Sequence, residues 1–268
     1  MLRILFVASE VHPLIKTGGL ADVAGSLPHA LAELGHDVRI LMPAYADALE
    51  RTGSVHEEAA YRPPAGAEGT SLVRTRLPDS EVPVWLLDGP GFSDRPGNPY
   101  LDADGHAYPD NHWRFNRLAR AAAAVAGGGL DWQPDVVHCN DWQTGLTPVW
   151  LLLHRIPAAT VFTVHNLAYQ GLFPAEAATD LGLPAWLYNP AGLEFYDQLS
   201  FMKGGLVFSD QLTTVSPTYA GEIQTPAFGW GLDGLLRGRA ADLHGILNGI
   251  DYQAWDPQGD AHLAAPFS

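Results

Sequence analysis

The sequence predicts an α/β fold, a doubly wound and mostly parallel sheet, from three observations. Short runs of apolar residues recur without polar alternation, as strands buried on both faces require. Stretches of helix formers separate them. The chain of 268 residues also lacks an internal repeat or a long low-complexity tract, so regular strand–helix alternation is the organising pattern.

The first strand is Leu2-Arg3-Ile4-Leu5-Phe6-Val7-Ala8. The stretch from Leu20 to Leu34 follows as a helix, with Leu20, Val23, Leu27, Leu31 and Leu34 expected on one apolar face. Leu34-Gly35 stops it, and Val38 to Met42 is the next strand. Residues 54–90 carry short β-type runs, Leu72 to Leu77 and Val82 to Leu87, broken by Pro and Gly. They predict an antiparallel excursion at the sheet edge. Gly89 to Gly105 is rich in Gly, Pro and Asp and predicts an exposed loop. Trp113 to Ala126 is a helix, Asp135 to His138 a buried strand, Thr144 to His154 a helix and Ala159 to Val164 a strand. Leu206 to Thr214 reads as helix then strand, and Leu243 to Leu247 as a last strand.

Composition bounds what the protein does. Hydrophobic residues make up 47%, and mean hydropathy is -0.03. No apolar run reaches the length of a membrane span. The net charge of -15 repels nucleic acid and anionic membranes. The single cysteine, Cys139, excludes an intrachain disulfide and fits a reducing compartment. The expected location is the cytoplasm of a bacterial-type cell, because no Ser-rich transit segment precedes the first strand.

The most informative stretch is Lys16-Thr17-Gly18-Gly19-Leu20-Ala21-Asp22-Val23, between the first strand and the first helix. A strand, a glycine turn and a helix N-terminus form an anion site, because free N–H groups point outward and the helix dipole favours negative charge. Lys16 adds a positive charge beside it, one of only two lysines with Lys203. The same glycines also serve as an ordinary tight turn. The spacing is neither G-x-G-x-x-G nor a Walker loop, which disfavours hydride transfer and P-loop ATPase chemistry.

Lys16 to Val23, preceded by Ser9-Glu10-Val11-His12-Pro13, resembles the N-terminal signature of the bacterial glycogen synthase and plant starch synthase family. Further blocks resemble the family in the same order. They are Asn98-Pro99-Tyr100, His138-Cys139-Asn140-Asp141-Trp142-Gln143, Thr163 to Gly171, Thr214 to Ala220, and Leu247-Asn248-Gly249-Ile250-Asp251 followed by Trp255-Asp256-Pro257. The resemblance implies the N-terminal half of a GT-B glycosyltransferase, with residues 1–250 as a Rossmann-like domain. Residues 251–268 would then begin a linker to a C-terminal domain, the expected intramolecular partner. That second domain supplies most of the donor nucleotide pocket, so the resemblance implies that these residues alone are inactive. The implied reaction moves glucose from ADP-glucose to the non-reducing end of an α-1,4-glucan, with retention and without metal or other cofactor. A related UDP-glucose-dependent enzyme and a non-catalytic glucan-binding remnant are the alternatives.

The resemblance also assigns roles. His165, at a strand end, contacts the donor glucose, and Asp141 faces the cleft near the sugars; these two are the catalytic candidates. Read without the resemblance, His165 braces a loop and Asp141 is a helix N-cap. Lys16, Gly18, Gly19 and Asp22 are expected at the donor, Tyr100 at the glucan and Asn248 near the donor. Asp22 is otherwise an ordinary first-turn acid, Tyr100 a loop aromatic and Asn248 a turn residue. Asp102-Ala103-Asp104 matches D-x-D superficially but sits in a loop, so no metal site is expected. Among the eleven histidines there is no H-E-x-x-H or tight His/Cys cluster. Cys139 is expected to pack rather than react.

Overall fold

The computed structural model describes every residue except 53–56, 79, 96, 250–255, 261, 266 and 268. In chain order the elements are β1 (Arg3–Val7), α1 (Gly19–Glu33), β2 (Asp37–Pro43), α2 (Ala46–Arg51), β3 (Glu57–Glu58), β4 (Ser71–Arg76) and β5 (Pro83–Asp88). Then come α3 (Asn111–Ala126), β6 (Val136–Asn140), α4 (Thr147–His154), β7 (Ala159–Val164), β8 (Leu172–Pro174) and α5 (Glu176–Asp180). The chain continues through β9 (Glu194–Phe195), β10 (Gln198–Ser200), α6 (Phe201–Phe208), β11 (Gln211–Thr214), α7 (Pro217–Glu222), α8 (Asp233–Gly238) and β12 (Leu243–Gly245).

Among the described residues the main sheet has nine strands, ordered β12-β11-β7-β6-β1-β2-β5-β4-β3. Every neighbouring pair from β12 to β5 is parallel. The fold is thus the doubly wound, mostly parallel α/β architecture that the sequence predicts. The central strands are apolar because helices cover both faces: Leu5, Phe6, Val7, Ile40, Leu41, Val137 and Phe162 are fully or almost fully buried. No helix among the described residues is long and apolar enough to cross a membrane.

Several expectations need correction. The excursion over residues 54–90 is antiparallel only in part: β4 pairs antiparallel with β3 and β5, whereas β5 joins the parallel sheet beside β2. Residues 54–56 and 79 lie outside the described residues. Leu34 is not on the buried face of α1; it is 76% exposed. That helix buries Leu20, Ala21, Ala24 and Pro28. Small residues face inward because α1 packs closely on the segment after β1: a Cβ on Gly25 would sit 2.5 Å from the His12 carbonyl oxygen. Leu34 caps the helix end, past that contact. Gly89 to Gly105 is not simply exposed, since Phe92 is fully buried and Tyr100 half-buried. A second sheet, β8-β10-β9, was not anticipated. The expected linker start, residues 251–255, lies outside the described residues, as does Ile250 of the Leu247–Asp251 block.

Candidate active site

Parallel pairing puts the C-terminal ends of β1, β6, β7, β11 and β12 along one edge. From β1 the chain builds outward through β2 and β5, then returns to β6 and builds the other way. The switch point lies between β1 and β6, where open α/β sheets leave a ligand crevice. Glu10 and the glycine loop follow β1, Asp141 follows β6, and His165 follows β7. Asn248, exposed, lies beyond the end of β12.

Asp141 turns the chain out of β6 with φ 56°, a left-handed conformation that costs an aspartate about 1 to 3 kcal/mol. Its side chain makes no N-cap bond. It reaches sideways instead, where Oδ1 accepts from the His165 N–H at 2.8 Å and the Asn166 N–H at 3.4 Å. The residue is only 8% exposed, and burial pushes its carboxyl up to about 7. The two N–H groups pull the other way, and the nearby negative charge of Glu10 adds to the rise.

His165 is fixed by Asn140. The Asn140 amide nitrogen donates to the Val7 carbonyl at 3.1 Å, so its Oδ1 is left as an acceptor 3.0 Å from His165 Nε2. Nε2 therefore carries the proton and Nδ1 keeps its lone pair. Burial lowers the His165 pKa to about 4, so the ring is neutral at pH 7. His138 lies deeper. It pairs with Thr163 Oγ1 at 2.6 Å, which in turn meets Thr213 Oγ1 at 2.6 Å. Burial, then the adjacent His165, lowers its pKa to about 3. Cys139 is buried, which pushes its thiol up to about 12, and its role is packing.

Gly18 caps α1 and Gly19 is its first residue. A Cβ at either would meet nothing within 4 Å, so both face open space. The anion-site expectation needs revision, because a carboxylate of the protein already occupies part of the loop. Glu10 Oε2 accepts the Thr17 N–H and, at 3.3 Å, the Gly18 N–H. Glu10 Oε1 accepts the Thr17 hydroxyl at 2.7 Å and the Tyr100 hydroxyl. Glu10 is 3% exposed. Lys16 does not stand free either: it pairs with Asp22 at 2.7 Å, both half-exposed. Sequence reasoning quoted Glu10 within a motif but gave it no role; its signal is an acid ending an apolar run just before the glycine loop.

The structure brings Tyr100 to the same place. Its hydroxyl lies 2.8 Å from Ser9 Oγ, and its ring packs against Phe115 and Trp142. Buried Arg114 holds the loop by donating to the carbonyls of Gly91 and Pro99 at 2.6 and 2.9 Å. Asn111 donates to the Tyr100 carbonyl at 3.0 Å. Asp102, Asp104 and His106 are close enough to share a cation, but Asp102 Oδ1 accepts the N–H groups of Asp104 and His106 and so closes a loop turn.

A family model described as the starch synthase catalytic domain matches residues 3–238. The chain belongs to that family. A glycogen synthase of Halorhodospira halophila is 57% identical over all of this chain and 56% of its own length. Glycogen synthase 1 of Methylococcus capsulatus is 59% identical over 99% of this chain and 54% of its own length. The chain thus spans about half the length of the curated relatives it matches. Among solved structures, the catalytic domain of starch synthase IV from Arabidopsis thaliana, bound to ADP and acarbose, superposes with a TM-score of 0.79. It is 29% identical and covers 99% of this chain and 55% of its own. The fold of this starch synthase family member is accordingly the doubly wound α/β part of a GT-B catalytic domain, about half of it.

Proposed function

We propose that the protein takes part in α-glucan synthesis as a retaining glucosyltransferase, moving glucose from ADP-glucose to the non-reducing 4-hydroxyl of an α-1,4-glucan. The observation that carries this reading is the Asp141–His165 pair at the switch-point crevice, in a chain alike along its whole length to glycogen synthases. ADP found bound to the starch synthase IV neighbour supports adenine over uracil in the donor.

Stabilising the departing diphosphate is the main task, because negative charge develops there as the glucosyl carbon becomes positive. The first turn of α1 offers main-chain N–H groups and its dipole, and Lys16 a cation once released from Asp22. We propose no metal or other cofactor; further cations would come from the remaining length that the relatives have. His165, neutral with Nδ1 as an acceptor, orients a donor sugar hydroxyl, and Asp141 stabilises developing charge beside it. Gly18, Gly19 and Asp22 shape the donor side, Asn248 approaches it from β12, and Tyr100 faces the glucan. No residue is assigned as a covalent nucleophile. The buried thiol of Cys139 fits the reducing cytoplasm proposed for the protein.

The test is glucose transfer to a maltooligosaccharide from ADP-glucose and, in parallel, UDP-glucose. It is run on the 268-residue chain and on a form extended to the length of the relatives. Transfer from ADP-glucose by the extended form supports the reading. Glucan binding without transfer in either form, both folded, assigns a binding module instead. Preference for UDP-glucose refutes the donor.

A further inference from the structure

An asparagine side chain can react with the backbone nitrogen of the residue that follows it. The reaction needs a free N–H on that residue, a backbone not held in a helix or strand, and room around the reacting atoms. A following glycine serves best, because it has no Cβ to crowd the nitrogen and restricts φ and ψ least. The sequence has seven asparagines. Asn98 and Asn189 precede prolines, which have no N–H. Asn111, Asn116 and Asn140 are buried within α3 and β6. Asn166 is followed by an N–H already committed, since Leu167 N donates to the Tyr219 hydroxyl at 3.1 Å. Asn248, followed by Gly249, meets every condition. It is exposed on the irregular stretch past β12, and no hydrogen bond among the described residues holds its side chain. A Cβ on Gly249 would meet nothing within 4 Å, so the reacting backbone lies in open space.

We infer that Asn248 is a site of spontaneous deamidation, a covalent modification that adds a carboxylate at the edge of the crevice. The Gly249 nitrogen attacks the Asn248 side-chain carbonyl carbon and gives up its proton. The bond to the side-chain nitrogen breaks, and ammonia leaves a five-membered succinimide. Water then adds to either carbonyl of that ring and opens it, giving aspartate by one route and isoaspartate by the other. The fold gives this charge a consequence. β12 is two strands from β7, which ends at His165, and two strand spacings are about 10 Å. A negative charge at that distance opposes an anionic donor by about tenfold in affinity at the effective dielectric of a protein surface. The consequence rests on the donor reading above; the modification itself does not.

The test is warm incubation of the folded 268-residue chain at pH 8, then trypsin and mass spectrometry. The peptide from Ala240 to the chain end holds Asn248 as its one asparagine. It converts to two products of equal mass, each heavier by the exchange of NH2 for OH, and an isoaspartyl methyltransferase labels one of them. The rate stays within about threefold of that of a synthetic peptide of the same sequence, as for a segment that the fold does not protect. It falls about tenfold in Gly249→Ala, whose methyl has room. A rate about a hundredfold below that of the free peptide overturns the site, because the fold then shields it. So does conversion no faster than at the other six asparagines, or an unchanged rate in Gly249→Ala. In the extended form Asn248→Asp raises KM for ADP-glucose about tenfold, and ADP-glucose slows deamidation of the native residue. Deamidation together with unchanged KM in Asn248→Asp upholds the modification site and refutes only the placing of Asn248 beside the donor.

Discussion

Replacing Asp141 by Asn removes an ionisable carboxyl from a buried site while keeping an oxygen that can accept the His165 and Asn166 N–H groups. In the native protein burial raises that carboxyl from 3.8 to about 7. The unfolded chain gives up this proton near pH 4 and the folded one near pH 7. Between those values the folded state holds more protons, so stability falls as pH rises through that window and is flat above it. At about 1.4 kcal/mol per pH unit, the ionised carboxylate costs the fold about 4 kcal/mol at pH 8. Asp141→Asn therefore has little effect near pH 4, where the carboxyl is already neutral, and stabilises by about 2 to 4 kcal/mol at pH 8. Urea unfolding of both proteins at pH 4.5, 6 and 8 reads the difference, which cancels the histidine titrations common to both. Glucose transfer by the extended form falls in the same variant, as expected where a functional group is kept at the expense of stability. A difference that does not grow with pH, or a variant less stable at pH 8, would refute the assignment of a buried, strained and costly carboxylate.

The two histidines give the opposite slope. Their pKa values are lowered in the fold, so stability is lost as pH drops below 6.5 toward about 4 for His165 and about 3 for His138. Ring-proton NMR with His165→Gln and His138→Gln as assignment controls finds neither titrating above pH 5; a midpoint near 6.5 for either ring counts against its burial. Tyr100→Phe deletes the hydroxyl shared by Glu10 and Ser9 and costs about 1 to 2 kcal/mol by urea unfolding. Glycine positions separate folding from function. Gly145→Ala places a Cβ 1.9 Å from the Phe201 carbonyl oxygen and costs about 3 kcal/mol or more, seen as a lower urea midpoint. Gly18→Ala has room, with φ -149°, so stability holds while donor affinity, measured by calorimetry, falls as the added methyl crowds the loop. Lys16→Ala leaves the fold intact and lowers transfer strongly; normal kinetics in that variant count against a cation at the diphosphate.

The part of this protein that is legible in its sequence is the part governed by local rules. A strand buried on both faces reads as an apolar run, and the ends of β1, β6 and β7 fall where those runs stop. Residues just past such ends share one edge of a parallel sheet, which is why Asp141, His165 and the glycine loop lie along one edge, although their roles in the site come from the family resemblance and not from strand ends. What escaped depends on partners distant in sequence. Nothing near Glu10 announces Tyr100, ninety residues on, yet the two side chains meet at one carboxylate oxygen. Lys16 and Asp22 are close in sequence, but their pairing depends on how the loop enters α1. Leu34 fits the apolar phase of the helix and still faces solvent, since the inward face is set by close packing on His12 rather than by side-chain size. The antiparallel pairing of β4 and β5 at the sheet edge is legible, but the parallel join of β5 to β2 is not, because a strand between turns looks alike whichever way its neighbour runs.

These misses share a physical consequence at the crevice. Glu10 has one oxygen on the glycine-loop amides and the other on Tyr100, so the glycine loop and the Tyr100 loop are tied to a single buried carboxylate. A diphosphate approaching the first turn of α1 meets this carboxylate beside it, and the two negative charges repel. Binding at that turn therefore favours either a shift of Glu10 or a cation drawn in to offset it. Lys16, held 2.7 Å from Asp22 on the exposed side of the same turn, is the nearest cation in sequence able to make that exchange. The site as folded is balanced between acids and main-chain N–H groups. Under the proposed reading, donor binding changes that balance, and the hydroxyl of Tyr100 on Glu10 ties the change to the Tyr100 loop.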